Sequence, residues 1–249
     1  MVVTAAVSKL EINRVMHQHN ATQRLSSIGD GVWTATAPFL FWGIEIGARM
    51  TVCLLQDGGV ALISPIKHVP GLQREVEAIG PVRAIIAPSL WHHLFMEPWM
   101  EANPDAMSFG PVGLRDKRSS LTLTAELGAH FDEHFDQDLL RVPVEGMPKL
   151  RETLFFHHRS GTLIATDFCQ YLPNSRGITA LAARLLGIRH RASIDLLFRS
   201  MIRDRTAFRS SLAPLRQLSI THLSMCHHSV ISDGAQDELT RLLDQLDVS

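Results

Sequence analysis

Two apolar runs joined by a short turn constrain the fold of this 249-residue chain more than any other feature. Residues 50–55 and 60–64 are nearly continuous in apolar side chains, and Gln56-Asp57-Gly58-Gly59 between them is typical of a hairpin turn. A strand with one face in solvent alternates apolar and polar residues, whereas a strand covered on both faces does not. The pattern therefore predicts a hairpin in a sheet with other layers on both sides.

The segments after this hairpin favour a mixed sheet with helices packed on it. Leu72, Val76 and Ile79 recur at helical spacing, and residues 82–87 form the next apolar β-type run. A second hairpin is predicted around Arg159-Ser160-Gly161. Three later segments complete the pattern, two of them helical and one a strand: residues 178–217, 234–246 and 220–225.

No linker and no fixed-period repeat divides the chain. We therefore predict an N-terminal lead-in over residues 1–27 and one α/β (α+β) domain over residues 28–249, with a helical insertion around residues 177–217.

Charge and cysteine usage limit the partners and the compartment. The formal net charge of -1 gives no bulk attraction to nucleic acid or to an anionic membrane. Cys53, Cys169 and Cys226 lie far apart without a C-x-x-C pair, which fits a reducing compartment. The amino terminus has no long apolar core, and no 18-residue apolar run occurs. We predict a cytoplasmic protein without a membrane span that acts on a small molecule; its oligomeric state stays open, with a homodimer as one option.

Metal-type ligands follow three of the predicted strands. His92 and His93 come shortly after the strand that stops at Pro88, Asp167 follows the second hairpin, and His227-His228 follow the last strand. Imidazole and carboxylate groups at convergent strand ends are suitable ligands for Zn²⁺, Mn²⁺ or iron. The alternative is that these histidines pack in the core or lie in solvent.

The order of these features resembles the metallo-β-lactamase fold superfamily. The phrases that carry the resemblance are Arg49-Met50-Thr51-Val52, Asp57-Gly58-Gly59, Pro88-Ser89-Leu90-Trp91-His92-His93-Leu94-Phe95, Phe155-Phe156-His157 and Ser160-Gly161-Thr162-Leu163-Ile164-Ala165-Thr166-Asp167. The resemblance covers residues 28–246. It implies a four-layer αβ/βα sandwich and a dinuclear site built from an H-x-H-x-D-H loop, a later His, a bridging Asp and a last His.

The resemblance also implies that only one of the two metal positions is kept. The first two histidines of the loop motif fall on Pro88 and Leu90, which cannot coordinate, and the next family His has no match near residues 145–147. The Asp that commonly follows the second strand appears as Ser64. The ligands expected at the remaining position are His92, His93, Asp167 and His227, with His228 as the fallback for His227. Zinc is the first expectation, manganese or iron the alternatives, and an empty polar pocket the competing hypothesis.

The resemblance implies a hydrolase with at most one divalent metal and a degenerate active site, acting on a small ester, lactone, amide or phosphoester. Asp167 and Glu97 are the catalytic candidates, with Glu145 as an alternative proton carrier. Two other functions stay open. One is a non-catalytic descendant that binds a ligand or partner in the reshaped pocket, and the other is an iron oxidoreductase.

Two further patterns have competing interpretations. His130-Phe131-Asp132-Glu133-His134 spells H-x-x-E-H, but a solvated acidic loop is the preferred interpretation. Residues 184–216 contain eight arginines against two aspartates. This basic segment predicts either a solvated helix face, a cover over an anionic substrate or a membrane-surface helix.

Overall fold

The structure, a computed structural model, describes residues 24–41, 44–172, 177–188, 191–227 and 229–248. The predicted lead-in therefore lies outside the described residues up to position 23, as does His228. Each helix within the described ranges is too short or too polar to cross a lipid bilayer.

Fourteen strands and eight α-helices are present in the described residues. The strands are β1 (Ser26–Gly29), β2 (Val32–Ala37), β3 (Leu40–Phe41), β4 (Ile44–Glu45), β5 (Ala48–Leu54), β6 (Val60–Ile63), β7 (Val82–Ile86), β8 (Met107–Gly110), β9 (Ala125–Glu126), β10 (Leu139–Pro143), β11 (Thr153–His157), β12 (Thr162–Ala165), β13 (His222–Met225) and β14 (Val230–Ile231). The helices are α1 (Pro70–Glu77), α2 (Met96–Ala102), α3 (Leu114–Lys117), α4 (Ala129–Phe135), α5 (Gly177–Leu185), α6 (Leu196–Met201), α7 (Arg205–Leu212), which a 3-10 turn (Ala213–Gln217) follows, and α8 (Ala235–Val248).

The strands form two main sheets and a small hairpin. The first sheet has the order β1-β2-β5-β6-β7-β8-β9, the second the order β10-β11-β12-β13-β14, and β3 pairs with β4. Both predicted hairpins are present, with β5 antiparallel to β6 and β11 antiparallel to β12. The pairs β6–β7 and β12–β13 are parallel, so the ends of these four strands point the same way within each sheet.

Alternating side chains of the central strands enter different cores, which explains their continuous apolar sequences. In β6, Val60 and Leu62 face a core shared with α1 and α2, whereas Ala61 and Ile63 face the space between the sheets. In β11, Phe155 faces that same space, whereas the neighbouring Leu154 and Phe156 face a core shared with α6, α7 and α8. The layers are therefore helix, sheet, sheet and helix, and the predicted α/β sandwich is confirmed.

The H-x-x-E-H segment is helical, which corrects the expected acidic loop. Residues 129–135 form α4, a helix of seven residues. Phe131 and Phe135 lie four residues apart on its buried face, and both contact Phe109 edge-to-face. The polar composition of the segment hid this narrow apolar face, because only two of its residues form it.

Candidate metal centre

Three side chains that follow separate strands converge at one point between the two sheets. His92 lies in the loop after β7, Asp167 lies two residues beyond β12, and His227 lies two residues beyond β13. One donor atom from each residue lies within 4.8 Å of the others. All three side chains are largely buried, with exposed fractions of 12, 13 and 9%.

Each oxygen of Asp167 faces a different imidazole. Oδ2 lies 3.2 Å from Nε2 of His92, and Oδ1 lies 3.5 Å from Nε2 of His227. Burial raises the pKa of the Asp167 carboxyl, but the two imidazoles outweigh burial and hold that pKa well below its usual range. Asp167 is therefore ionised, and its negative charge lies between the two imidazoles.

The far side of each imidazole is fixed by a second partner. Nδ1 of His92 lies 2.9 Å from Oγ of Ser64, and Nδ1 of His227 donates to the carbonyl oxygen of Gly47 at 2.7 Å. These contacts orient both rings so that Nε2 faces Asp167. Sγ of Cys226 donates to the same Ser64 hydroxyl at 3.0 Å, which links the loop after β13 to the loop after β6.

The carboxylate of Asp167 also acts on the imidazole of His92. Burial lowers the pKa of His92, but Asp167 and Cys226 outweigh this effect and raise the pKa well above its usual value. A divalent ion needs neutral imidazole ligands, so with this raised pKa an ion at His92 competes with a proton.

Glu152 contacts the loop that carries Asp167. It is 1% exposed, and its Oε1 accepts from the backbone N–H of Asp167 at 3.1 Å. Burial and the neighbouring Asp167 carboxylate raise the pKa of Glu152 to about 7. Glu152 directly follows Arg151 at the start of the apolar run of β11, and this pattern gave no sequence signal for the contact, because Glu152 and Asp167 meet only through the β11–β12 pairing.

Two of the sequence-predicted site residues lie elsewhere. Nδ1 of His93 faces Nη1 of Arg118 at 3.3 Å, and the three-residue cluster does not include His93. Burial, Lys117 and Arg118 lower the pKa of His93 to about 3, so this ring is neutral. Glu97 also faces Arg118, at 3.4 Å, and its side chain is 45% exposed. The expected fourth ligand and the expected proton carrier therefore both contact Arg118, and the three-residue cluster contains neither of them.

The residues present at the cluster fit one divalent ion. Donors on one tetrahedral zinc, each about 2.0–2.2 Å from the ion, lie about 3.3–3.6 Å apart. Each imidazole nitrogen lies near such a distance from one oxygen of Asp167, and one donor atom from each of the three residues lies within 4.8 Å of the others. Among the described residues, Asp167 Oδ2 is one of two buried side-chain oxygens without a hydrogen bond of acceptable geometry. Two imidazoles and one carboxylate form the donor set of catalytic zinc sites with an open position and of non-haem iron sites.

A second group of metal-type ligands is exposed on α4. It consists of His130, Glu133 and His134, whose donor atoms also lie within 4.8 Å of one another. Nδ1 of His134 lies 2.9 Å from the carbonyl oxygen of His130. This group is on the surface and separate from the three-residue cluster.

The basic segment after α5 is partly neutralised by α8. Arg191 lies 3.6 Å from Glu238, and Arg216 lies 2.8 Å from Asp244. Neither of the two arginines lies on an α-helix, because Arg191 is in the loop before α6 and Arg216 is in the 3-10 turn, so their charges are paired at the surface outside the predicted helix face.

A family model matches residues 29–192, which is more than half of the chain and includes β2 to β12, His92 and Asp167. It is described as the domain of unknown function DUF4336. The chain belongs to this family. A search of curated proteins found no significant match to the DUF4336 chain.

Solved structures with the same fold are distant in sequence. A metallo-β-lactamase from Pontibacter korlensis is 14% identical, with a TM-score of 0.59, and the match covers 92% of this chain and 100% of that one. The mono-zinc form of a metallo-β-lactamase from Pseudomonas aeruginosa is 10% identical, with a TM-score of 0.56, and covers 91% and 97%. A flavodiiron core from Synechocystis is 10% identical, with a TM-score of 0.57, and covers 90% and 60%. The DUF4336 chain therefore has the metallo-β-lactamase fold.

Proposed function

We propose that this DUF4336 protein is a hydrolase that holds one divalent metal ion at His92, Asp167 and His227. The observation that carries the proposal is the convergence of three donors from three strand ends within 4.8 Å, in a sandwich of the metallo-β-lactamase fold. Such structures include a mono-zinc metallo-β-lactamase, so the fold accommodates one ion in at least that protein. The proposed substrate class is a small ester, lactone, amide or phosphoester.

The residues at this centre have separate roles as metal donors and as groups that orient those donors. His92, Asp167 and His227 supply the donors, while Ser64 and the Gly47 carbonyl keep both imidazoles turned toward the centre. Their burial excludes bulk water, which strengthens charge interactions with a bound substrate. When bound, the ion lowers the pKa of a coordinated water toward about 7 and polarises a carbonyl or phosphoryl oxygen. Because the two imidazoles hold the pKa of Asp167 well below its usual range, this residue would serve as an anionic ligand at the centre.

Metal content of the purified protein tests the proposal. We expect about one zinc, manganese or iron ion per chain in the wild type and less than about 0.2 in His92→Ala and His227→Ala, because two donors hold an ion poorly. His93→Ala is the matched control, since it removes an adjacent buried histidine that faces Arg118. The reference protein and all variants carry His130→Gln and His134→Gln, so that the surface group contributes nothing. Fewer than about 0.2 ions per chain in that reference protein would contradict the proposal.

A panel of esters, lactones, amides and phosphoesters then tests the reaction. We expect turnover that a chelator removes and the added ion restores, and that His227→Ala lacks. A protein with full metal content and no turnover on any member of the panel would contradict the hydrolase function while leaving the metal centre intact.

The second candidate is a non-catalytic descendant of the fold. The observation in its favour is that Pro88 and Leu90, which cannot coordinate a metal, stand where the loop motif of the resembled superfamily has its first two histidines. In that case the wild type and His227→Ala would both purify without metal. A protein with iron and visible absorbance under anaerobic conditions would instead indicate the oxidoreductase alternative.

A further inference from the structure

Residues 150–153 contact two of the three loops that carry the proposed ligands. The carbonyl oxygen of Leu150 accepts from the backbone N–H of Leu90 at 2.9 Å, and the N–H of Thr153 donates to the carbonyl oxygen of Pro88 at 2.8 Å. These two bonds fix the start of the loop that leads to His92. The same short segment therefore sets the position of one ligand loop by its backbone.

The side chain of Glu152 holds the second loop. Its Oε1 accepts from the backbone N–H of Thr166 at 2.7 Å, from the Thr166 hydroxyl at 2.7 Å and from the backbone N–H of Asp167 at 3.1 Å. Consecutive N–H groups that converge on one oxygen define the backbone conformation of a loop. The contact therefore fixes the residue whose carboxylate faces both imidazoles.

A role in filling space alone does not account for Glu152. The residue is 1% exposed, and its second oxygen, Oε2, is buried without a hydrogen bond. Burying a carboxylate with an unsatisfied oxygen is costly, and an apolar side chain of similar size would avoid that cost. The three donors on Oε1 supply a reason for a carboxylate at this position.

The backbone of this segment is strained beside Glu152. Arg151 has a φ of 51°, in the left-handed region that L side chains rarely adopt. Such conformations persist where the surrounding structure imposes them, and they often occur at functional sites. Here the strained residue lies between the two backbone bonds to the Pro88–Leu90 segment and next to the side chain that holds Asp167.

We propose that Glu152 is a positioning residue for the metal centre, which acts by fixing the Thr166–Asp167 backbone so that the Asp167 carboxylate lies between His92 and His227. This inference rests on the proposed function, because it concerns the ligand geometry of that centre. It adds a residue that contacts neither the ion nor the substrate.

Cobalt binding tests the role of Glu152, because Co²⁺ occupies such N/O sites and its visible spectrum reports ligand geometry. We expect Glu152→Ala to weaken the affinity for cobalt by about 10- to 100-fold and to change the spectrum. Glu152→Gln keeps a carbonyl oxygen as acceptor, so we expect its affinity to stay within about threefold of the wild type. Leu163→Ala, a buried residue of β12, is the control for general loss of stability, and its cobalt affinity and spectrum are expected to match the wild type.

Wild-type affinity and spectrum in Glu152→Ala would overturn the inference. If Glu152→Ala does not fold, Thr166→Val replaces it, since it removes one of the three donors and is expected to weaken cobalt binding by a smaller factor. A change in Leu163→Ala equal to that in Glu152→Ala would also overturn it, because the effect would then follow from stability.

Amide hydrogen exchange separates this inference from the proposed function. We expect the N–H groups of Thr166 and Asp167 to be protected in the metal-free wild type and to exchange at least about tenfold faster in Glu152→Ala. A wild-type protein that binds no cobalt would contradict the proposed function. Unchanged exchange at these two amides in Glu152→Ala would overturn the positioning role, whatever the metal result.

Discussion

Oγ of Ser64 lies 2.9 Å from Nδ1 of His92, and Ser64 holds this position with a φ of 54°. Among the described residues only Ser64 and Arg151 are non-glycine residues with positive φ. Ser64 contacts a proposed ligand, and Arg151 lies next to Glu152, which contacts the loop of another. In the described chain, the strained backbone conformations of non-glycine residues therefore occur next to side chains that contact the proposed ligands or their loops. Such conformations are often found at functional sites.

We predict that Ser64→Ala weakens metal affinity by about tenfold, because the His92 ring loses the partner that orients it. Titration of the metal-free protein with zinc measures the metal affinity of each variant. Ser160→Ala is the matched control: Ser160 is also buried and makes the same kind of contact with an imidazole, that of His157 at 2.8 Å, but it contacts none of the proposed ligands. An equal loss of affinity in both variants would contradict the prediction.

The sequence predicted the two hairpins and the sandwich, because continuous apolar runs and turn residues are local signals. It also named three residues that the structure brings together, since each directly follows a predicted strand. His93 contacts Arg118 and is not in this cluster, because adjacent residues in an irregular loop point in different directions and no sequence rule gives the direction in such a loop. The contact of the Gly47 carbonyl could not be predicted, because it forms between segments far apart in the chain. Glu152 meets the Asp167 loop across the predicted second hairpin, but the sequence does not give the register of that hairpin.

Acid is expected to destabilise the protein through His157. The ring is buried, with Nε2 2.9 Å from the carbonyl oxygen of Leu54, and burial lowers its pKa below the unfolded value of about 6.5. The unfolded chain therefore takes up the proton first. The contribution of the neutral His157 ring to the free energy of unfolding is complete above about pH 6.5. It is lost as the pH falls through the pKa of His157 in the folded protein.

His157→Gln should weaken this pH dependence, because the amide keeps a donor for Leu54 and has no proton to gain. Urea unfolding on both sides of about pH 6.5 measures the free energy in each variant. His158→Gln is the control, since His158 is the next residue and is exposed. A pH dependence in His157→Gln as steep as in the wild type would contradict the assignment.

Arg49 connects the two sheets beside the centre. Its Nε donates to the carbonyl oxygen of Met225 at 3.1 Å and its Nη1 to Oγ1 of Thr34 at 2.9 Å, and the residue is only 8% exposed. Arg49→Met keeps most of the volume but leaves two buried acceptors without these donors. We expect a loss of about 2–4 kcal/mol in the free energy of unfolding.

Denaturant unfolding of Arg83→Met provides the comparison for Arg49→Met. Arg83 pairs with Asp57 at 2.8 Å, but both side chains are about half exposed, at 47% and 52%. Exposed pairs contribute about 0–1 kcal/mol, so this variant should lose little. Similar losses of unfolding free energy in the two variants would show that the buried contacts of Arg49 stabilise the protein no more than an exposed ion pair does.

The exposed group on α4 is expected to bind metal more weakly than the buried centre. His130 and Glu133 have exposed side-chain fractions of 46% and 68%, so an ion there has to order mobile, hydrated groups. At the centre, Ser64 and Gly47 already orient the rings. We predict a tight and a weak phase in a zinc titration, and His130→Gln with His134→Gln should remove only the weak phase. Loss of the tight phase in that double variant would show that the main ion binds on α4. That result would contradict the proposed centre at His92, Asp167 and His227.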